Sequence, residues 1–152
     1  MPAETETKPL AEILDRLLAG ECGDAFGFVS EAEPYVGRSG AAGWHRIQRM
    51  LAAGKRRQAL LASHLEDLGA TPRPACSSAA NQYLAFLSME FVLPKLIEAK
   101  QRSIRSYEQA IAEAGDSNAA VADLLATNLE EHRQELQVLR SLMTPAASPK
   151  KA

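Results

Sequence analysis

Aromatic, cysteine and β-branched residues are scarce in this chain of 152 residues, of which 5% are aromatic and two are cysteines. Leucine and alanine supply most of the 46% of residues that are hydrophobic. These two residues favour helices, whereas β-branched and aromatic side chains favour strands. The composition therefore predicts an all-α protein, and the length is sufficient for one domain around a single core.

The two cysteines are Cys22, in a predicted helix, and Cys76, in a predicted connection. They lack the spacing of metal ligands and make a poor disulfide framework, so reduced thiols in the cytoplasm are expected. The chain begins with acidic residues where a signal peptide would be basic and then apolar, and it lacks an apolar run of membrane-spanning length. These absences predict a cytoplasmic protein that does not enter a membrane.

A strong excess of one charge is lacking as well. The net charge is −2 and the isoelectric point is about 5.9, with basic residues spread along the chain. Such a chain has no long-range field that would attract nucleic acid or an anionic membrane. The sequence therefore predicts neither as a partner.

Helical periodicity predicts an antiparallel four-helix bundle over residues 9–143. Residues 1–8 and 144–152 contain too little apolar surface to offset the entropy of ordering, so both are predicted to be disordered tails. A long connection between the second and third helices permits a crossover along the bundle. The predicted helices are Pro9–Glu33, 44–68, a third that Pro94 either begins or kinks and that ends at Gly115, and a fourth that starts after Asn118 and ends at Met143.

Each predicted helix carries one polar residue within its apolar stripe. These residues are Glu21, Arg57, Lys100 and His132. A polar side chain inside a bundle is destabilising unless it has a partner, so four at matching depth predict one shared cluster. Two cations among four residues suit a buried carboxylate better than a divalent metal.

Four stretches resemble ferritin-like proteins of the bacterioferritin and rubrerythrin type. They are residues 17–26 (LLAGECGDAF), 65–72 (LEDLGATP), 104–117 (IRSYEQAIAEAGDS) and 128–136 (NLEEHRQEL). The resemblance covers residues 10–143 and implies a ferritin-like bundle that forms a homodimer. It also implies that Glu21 and His132 stand at positions where the family has metal ligands.

The other ligand positions of the family are substituted. A di-iron centre of this type takes a Glu from each of two helices and a Glu-x-x-His from each of the other two. The resemblance places these missing ligands at Gly54, Arg57, Lys100 and Leu129. Hard metal ions need several anionic oxygens, so no iron or other divalent metal cofactor is expected.

Three functional hypotheses follow. The first is a structural or protein-binding bundle, without catalytic residues, in which Glu21 pairs with Lys100, Arg57 or both and His132 completes the hydrogen bonds. The second is a pocket that binds a small anion at the same cluster, with Gly54 leaving room. The third is a ferritin-like oxidoreductase whose rearranged metal site draws on Glu21, His132, His64, Asp24 or Glu131.

Overall fold

The computed structural model describes residues 3–23, 41–72 and 89–143, and four helices make up nearly all of these described residues. Helix α1 is Ala3–Gly23, α2 is Ala41–Asp67, α3 is Met89–Ala114 and α4 is Ala119–Met143. The described ranges contain no strand. The prediction of an all-α protein with four helices is therefore confirmed.

Contacts between side chains give the helix directions. On α1 and α3, Arg16 contacts Glu113 and Glu21 contacts Tyr107, so these two helices are antiparallel. On α2 and α4, Arg56 contacts Glu131, and Gly43 lies against Leu142. These helices are therefore antiparallel too.

A short turn over residues 115–118 joins α3 to α4 as an antiparallel pair. Because α4 is antiparallel to both α2 and α3, those two helices run in the same direction. The chain must therefore return along the length of the bundle between them, as predicted. Residues 73–88, where we predicted part of this connection to be helical, lie outside the described residues.

Local sequence signals set several helix ends. At the end of α2, Gly69 has φ +82°. Its N–H donates to the Glu66 carbonyl, and the N–H of Ala70 donates to the Leu65 carbonyl. This pattern is a Schellman motif, which glycine favours because it has no Cβ.

The short turn before α4 uses two further signals. Gly115 has φ +60°, which suits the end of α3. The Oδ1 atom of Asn118 accepts a hydrogen bond from the Val121 N–H at 3.1 Å and caps α4.

The first helix begins earlier than predicted. The structure starts α1 at Ala3, so residues 3–8 are helical and Pro9 lies inside the helix. The predicted tail therefore does not extend to residue 8. A proline inside a helix removes one backbone donor and its ring crowds the carbonyl four residues earlier, which is why the sequence favours a helix start at Pro9 that the structure does not adopt. The predicted continuation over residues 24–33 and the tail over residues 144–152 lie outside the described residues.

The core consists of two apolar clusters separated by a polar layer. The first cluster gathers residues of all four helices near the α3–α4 turn, including Leu14, Leu61, Tyr107 and Leu125. The second lies toward the start of α3 and includes Ile47, Leu96 and Leu139. Within the described ranges, none of the helices is both long and apolar enough to cross a membrane.

Candidate functional site

The structure brings Glu21, Arg57, Lys100 and His132 together in the polar layer between the two apolar clusters. These four residues are 7%, 1%, 2% and 1% exposed to solvent, in that order. All four point inward, and a fifth residue, Glu135 of α4, joins them. We refer to these five residues as the ion network.

Glu21 is the acceptor at the centre of the ion network. Its Oε2 atom accepts a hydrogen bond from the Tyr107 hydroxyl and lies 2.7 Å from the ring Nε2 of His132. The Arg57 Nε lies 3.3 Å from Oε1 and 3.2 Å from Oε2. One carboxylate of α1 is thereby held by side chains of the other three helices.

Arg57 connects α2 to both α1 and α4. While its Nε faces Glu21, Nη1 and Nη2 donate to the two oxygens of Glu135 at 2.9 and 3.1 Å. Nη1 also donates to Glu131 at 3.0 Å. The planar guanidinium suits such a two-point contact with a carboxylate, which an ammonium group cannot make.

Lys100 and His132 complete the ion network. The Lys100 Nζ donates to Glu135 at 2.6 Å and lies 3.0 Å from the His132 Nδ1. A lysine ammonium only donates, so Nδ1 acts as acceptor and the ring proton is assigned to Nε2, which donates to Glu21. His132 is then neutral.

The ion network is balanced in charge. Two carboxylates, Glu21 and Glu135, face two cations, Arg57 and Lys100, around a neutral histidine. Among the described residues, every buried side-chain nitrogen or oxygen has a hydrogen-bond partner. Full pairing is the condition under which buried charges are tolerated.

The environment shifts the pKa of several members. Burial alone would raise the pKa of Glu21, but the hydrogen bond from His132, the Arg57 charge and the Tyr107 hydroxyl lower it from 4.5 to about 2. The pKa of Glu135 is also lowered, because the Lys100 and Arg57 cations outweigh its burial. Burial, opposed by Glu135, lowers the pKa of Lys100.

Burial lowers the pKa of His132 as well, despite the hydrogen bond to Glu21, and the cations of Lys100 and Arg57 act in the same direction. Burial beside Glu21 raises the pKa of Tyr107, so its hydroxyl stays protonated and donates. The Tyr107 and His132 rings lie 5.2 Å apart at 39°. The pKa directions agree with the hydrogen-bond assignment.

These shifts predict acid lability. Glu21, Glu135 and His132 all have lowered pKa values in the folded state, so the unfolded chain binds more protons as the pH falls. The free energy of unfolding should decrease below about pH 6.5 through His132 and further below about pH 4.5 through the carboxylates. Glu21 alone would account for up to about 3 kcal/mol of this loss once the pH has fallen to about 2, and for part of it at pH 3.

Urea denaturation between pH 7 and pH 3 measures this dependence. The Glu21→Gln variant should be less stable at pH 7 and should lose part of the decrease below pH 4.5. Parallel pH profiles for the two proteins would contradict the assignment.

Sequence reasoning missed three members of this layer. One of them is Glu135, which lies beside the apolar stripe of α4 and not within it. Its side chain is 13% exposed, the largest exposed fraction in the ion network. Tyr107 follows the helical period of the apolar residues of α3, so periodicity does not mark it as a polar contact. Asn128, whose Nδ2 donates to the Tyr107 hydroxyl at 3.1 Å, is not predicted either. The sequence did contain a signal for Glu135. The predicted cluster has two cations and one carboxylate, so a second carboxylate is needed to balance its charge.

Among the described residues that the third hypothesis names, Glu21 and His132 lie together, but the others do not complete a metal site with them. Glu131 pairs with Arg56 and Arg57, and its side chain is 27% exposed. His64 lies in the last turn of α2, partly buried, and Asp24 lies outside the described residues. In the part of the chain that the structure describes, no three His, Cys, Asp or Glu side chains are arranged to hold a metal ion.

The donor atoms that remain fit the ion network better than a di-iron centre. Both Glu21 oxygens accept bonds from side chains, and the Nδ1 atom of His132 faces Lys100. A metal would have to displace two buried cations while gaining only a few anionic oxygens, which hard ions do not favour. The residues present at this site therefore do not fit a di-iron centre.

Comparison with known proteins supports the fold. No family model matches the chain, and no curated protein is detectably similar to it in sequence. Among solved structures, a mutant of Mycobacterium smegmatis Dps1 superposes with a TM-score of 0.76 at 14% sequence identity. The match covers 91% of this chain and 97% of that chain. The protein therefore has a ferritin-like four-helix bundle fold.

Proposed function

We propose that this protein is a divergent ferritin-like bundle in which the ion network stands in place of a di-iron centre. Its role is then structural or protein-binding, and it has no iron-dependent oxidoreductase activity. One observation carries the proposal: the cationic groups of Arg57 and Lys100 lie in the interior, bonded to Glu21 and Glu135.

The substituted positions support this reading. Leu129 is buried, and a side chain added at Gly54 would meet the Arg57 Nη2 atom at 3.7 Å. Gly54 and Leu129, like Arg57 and Lys100, therefore lie at or beside the interior layer where the family resemblance expects metal ligands. Two cations, a glycine and a leucine at these positions remove negative charge and replace it with positive charge.

The contacts disfavour a small anion at the ion network itself. Arg57 and Lys100 already donate to buried carboxylates, so an anion would have to displace Glu21 or Glu135. The space left by the missing side chain of Gly54 faces the Arg57 guanidinium. The anion-binding hypothesis for this cluster therefore lacks a supporting observation.

Restoring the missing ligands tests the proposal. A variant with Gly54→Glu, Arg57→His, Lys100→Glu and Leu129→Glu removes both cations and supplies the family's ligand types. After anaerobic loading with Fe²⁺ and desalting, the unaltered protein should retain no stoichiometric iron, whereas the restored variant should retain about two ions, as a di-iron centre requires.

The matched control is the variant Arg57→Met with Lys100→Met, which removes the cations without adding anionic ligands. It should retain no iron. Circular dichroism establishes that each variant is helical. Stoichiometric iron in the unaltered protein would overturn the proposal, whether or not the restored variant folds. The expected homodimer, the possible protein partner and the cytoplasmic location stay predictions.

A further inference from the structure

The second helix has an unusual charge distribution that the ion network does not explain. Between Ala41 and Leu65 it contains five lysines and arginines and no acidic residue. Arg57 alone among the five is buried. Although basic residues are spread along the chain as a whole, α2 concentrates them on the surface of the bundle.

Three of the arginines line one groove between α2 and α4. Arg46, Arg49 and Arg56 follow one face of α2, because their spacings of three and seven residues bring side chains to the same side of a helix. Across the groove stand Glu131, Gln134, Glu135 and Val138 of α4. The groove has a volume of about 400 Å³, within the range of small-molecule sites.

The arginines differ in their partners. Arg56 donates to Glu131 at 2.6 Å, and that carboxylate also accepts from Arg57. Arg46 and Arg49 are exposed, and no hydrogen bond or ion pair holds them within the part of the chain that the structure describes. The two also border a second depression beside His45. One end of the groove therefore has its charges paired, and the other presents two unpaired cations.

The wall between these ends is mostly apolar. Met50 and Ala53 of α2 and Val138 of α4 line it, and Gln134 adds an amide. A phosphate backbone needs an extended basic surface, and stacked bases need aromatic side chains, neither of which this groove supplies. A short apolar wall beside two guanidinium groups fits a small ligand with one anionic end.

We propose that the groove between α2 and α4 binds a small amphipathic anion. Arg46 and Arg49 hold its carboxylate, sulfonate or phosphate group, and Met50, Ala53 and Val138 contact its apolar body. Binding requires no change in the ion network, so this inference is independent of the proposed function. The ligand class is defined by its chemistry: one charged oxygen-bearing head group and an apolar portion that fits about 400 Å³.

Calorimetric titration of the full chain with octanoate tests the proposal. Octan-1-ol and octylammonium serve as neutral and cationic probes of equal chain length. Octanoate should bind more tightly than either, and Arg46→Gln with Arg49→Gln should weaken it roughly tenfold to a hundredfold, because two charge-assisted contacts are lost. Val138→Asp should also weaken binding, because the new carboxylate repels the anionic head group and removes an apolar contact with the alkyl chain.

The matched control is Arg102→Gln with Arg105→Gln, which removes two exposed arginines from α3. It should bind octanoate like the unaltered protein. Equal weakening in both double variants, equal binding of all three probes, or no octanoate binding at millimolar concentration would overturn the proposal. Capture of a DNA duplex that depends on Arg46 and Arg49, without octanoate binding, would also overturn it and indicate a nucleic-acid surface.

Discussion

Replacing Glu21 with alanine is expected to lower the free energy of unfolding by about 3–5 kcal/mol, the range typical for removing one partner of a buried ion pair. Three side chains lose their acceptor in this variant: the Tyr107 hydroxyl, the His132 Nε2 and the Arg57 Nε. Of the two carboxylates in the ion network, Glu135 then remains to pair with the two buried cations. Urea denaturation at pH 7 measures the loss.

The control is Glu12→Ala on the same helix, where the side chain is exposed. It should change stability by no more than about 0.5 kcal/mol.

A second comparison replaces all five network residues with Leu or Met. Because no charge is then left unpaired, that variant should be close to neutral or more stable than the unaltered protein. Similar large losses for Glu21→Ala and for the fully apolar variant would contradict the account.

Replacing Glu135 with leucine should destabilise the protein by a comparable amount, about 3–5 kcal/mol. Glu135 accepts two bonds from Arg57 and one from Lys100, so its loss removes these three bonds and leaves Glu21 as the one carboxylate of the ion network. Adding Lys100→Met to this variant should recover part of the stability, because charge balance returns. The single Lys100→Met change, in contrast, leaves an excess of negative charge.

The four proteins form a double-mutant cycle that isolates the interaction between Lys100 and Glu135. The sum of the decreases in unfolding free energy for the two single variants should exceed the decrease for the double variant. Glu131→Leu is the control on the same helix, because its side chain is 27% exposed and partly screened by solvent. It should cost about 1 kcal/mol or less. Strict additivity of Lys100→Met and Glu135→Leu would show that the pair is not coupled.

The interior position of four network residues could be predicted because each interrupts an apolar stripe. Glu21, Lys100 and His132 occupy places where the helical period calls for leucine, and the same argument reaches Arg57 by one of two overlapping stripes on α2. The structure buries Arg57 and also Leu65, which belongs to the other stripe, so the inward face of α2 includes parts of both. Periodicity predicts the depth of a residue well, since it depends only on the helix to which the residue belongs.

Partners are harder to predict than depth. Glu131 and Glu135 are both acidic residues near His132, one residue before it and three after it, and the sequence alone does not rank them. Their roles depend on where α2 and α3 place Arg57 and Lys100, which only the packing of three helices determines. The same holds for the groove, because the arginines of α2 become a site only where α4 supplies the opposite wall.

The helix ends that local sequence signals determine were also predicted better than the one for which the signal is ambiguous. The predicted ends at residues 68 and 115 and the predicted start after Asn118 agree with the structure to within one residue, because a positive φ or a side-chain cap is a local property. The start of α1 was placed six residues too late, at Pro9 instead of Ala3, because proline is common at a first helical turn but is not confined to it.

The central claim is that two cations, Arg57 and Lys100, occupy interior positions where a di-iron protein of this type would have metal ligands. The most direct measurement is an anomalous difference map at the iron edge from crystals soaked anaerobically in Fe²⁺. The account predicts no peak among Glu21, Lys100, His132 and Glu135, with Lys100 still bonded to Glu135. Two iron peaks at coordination distance from Glu21 and His132, with the Lys100 side chain displaced into solvent, would contradict it.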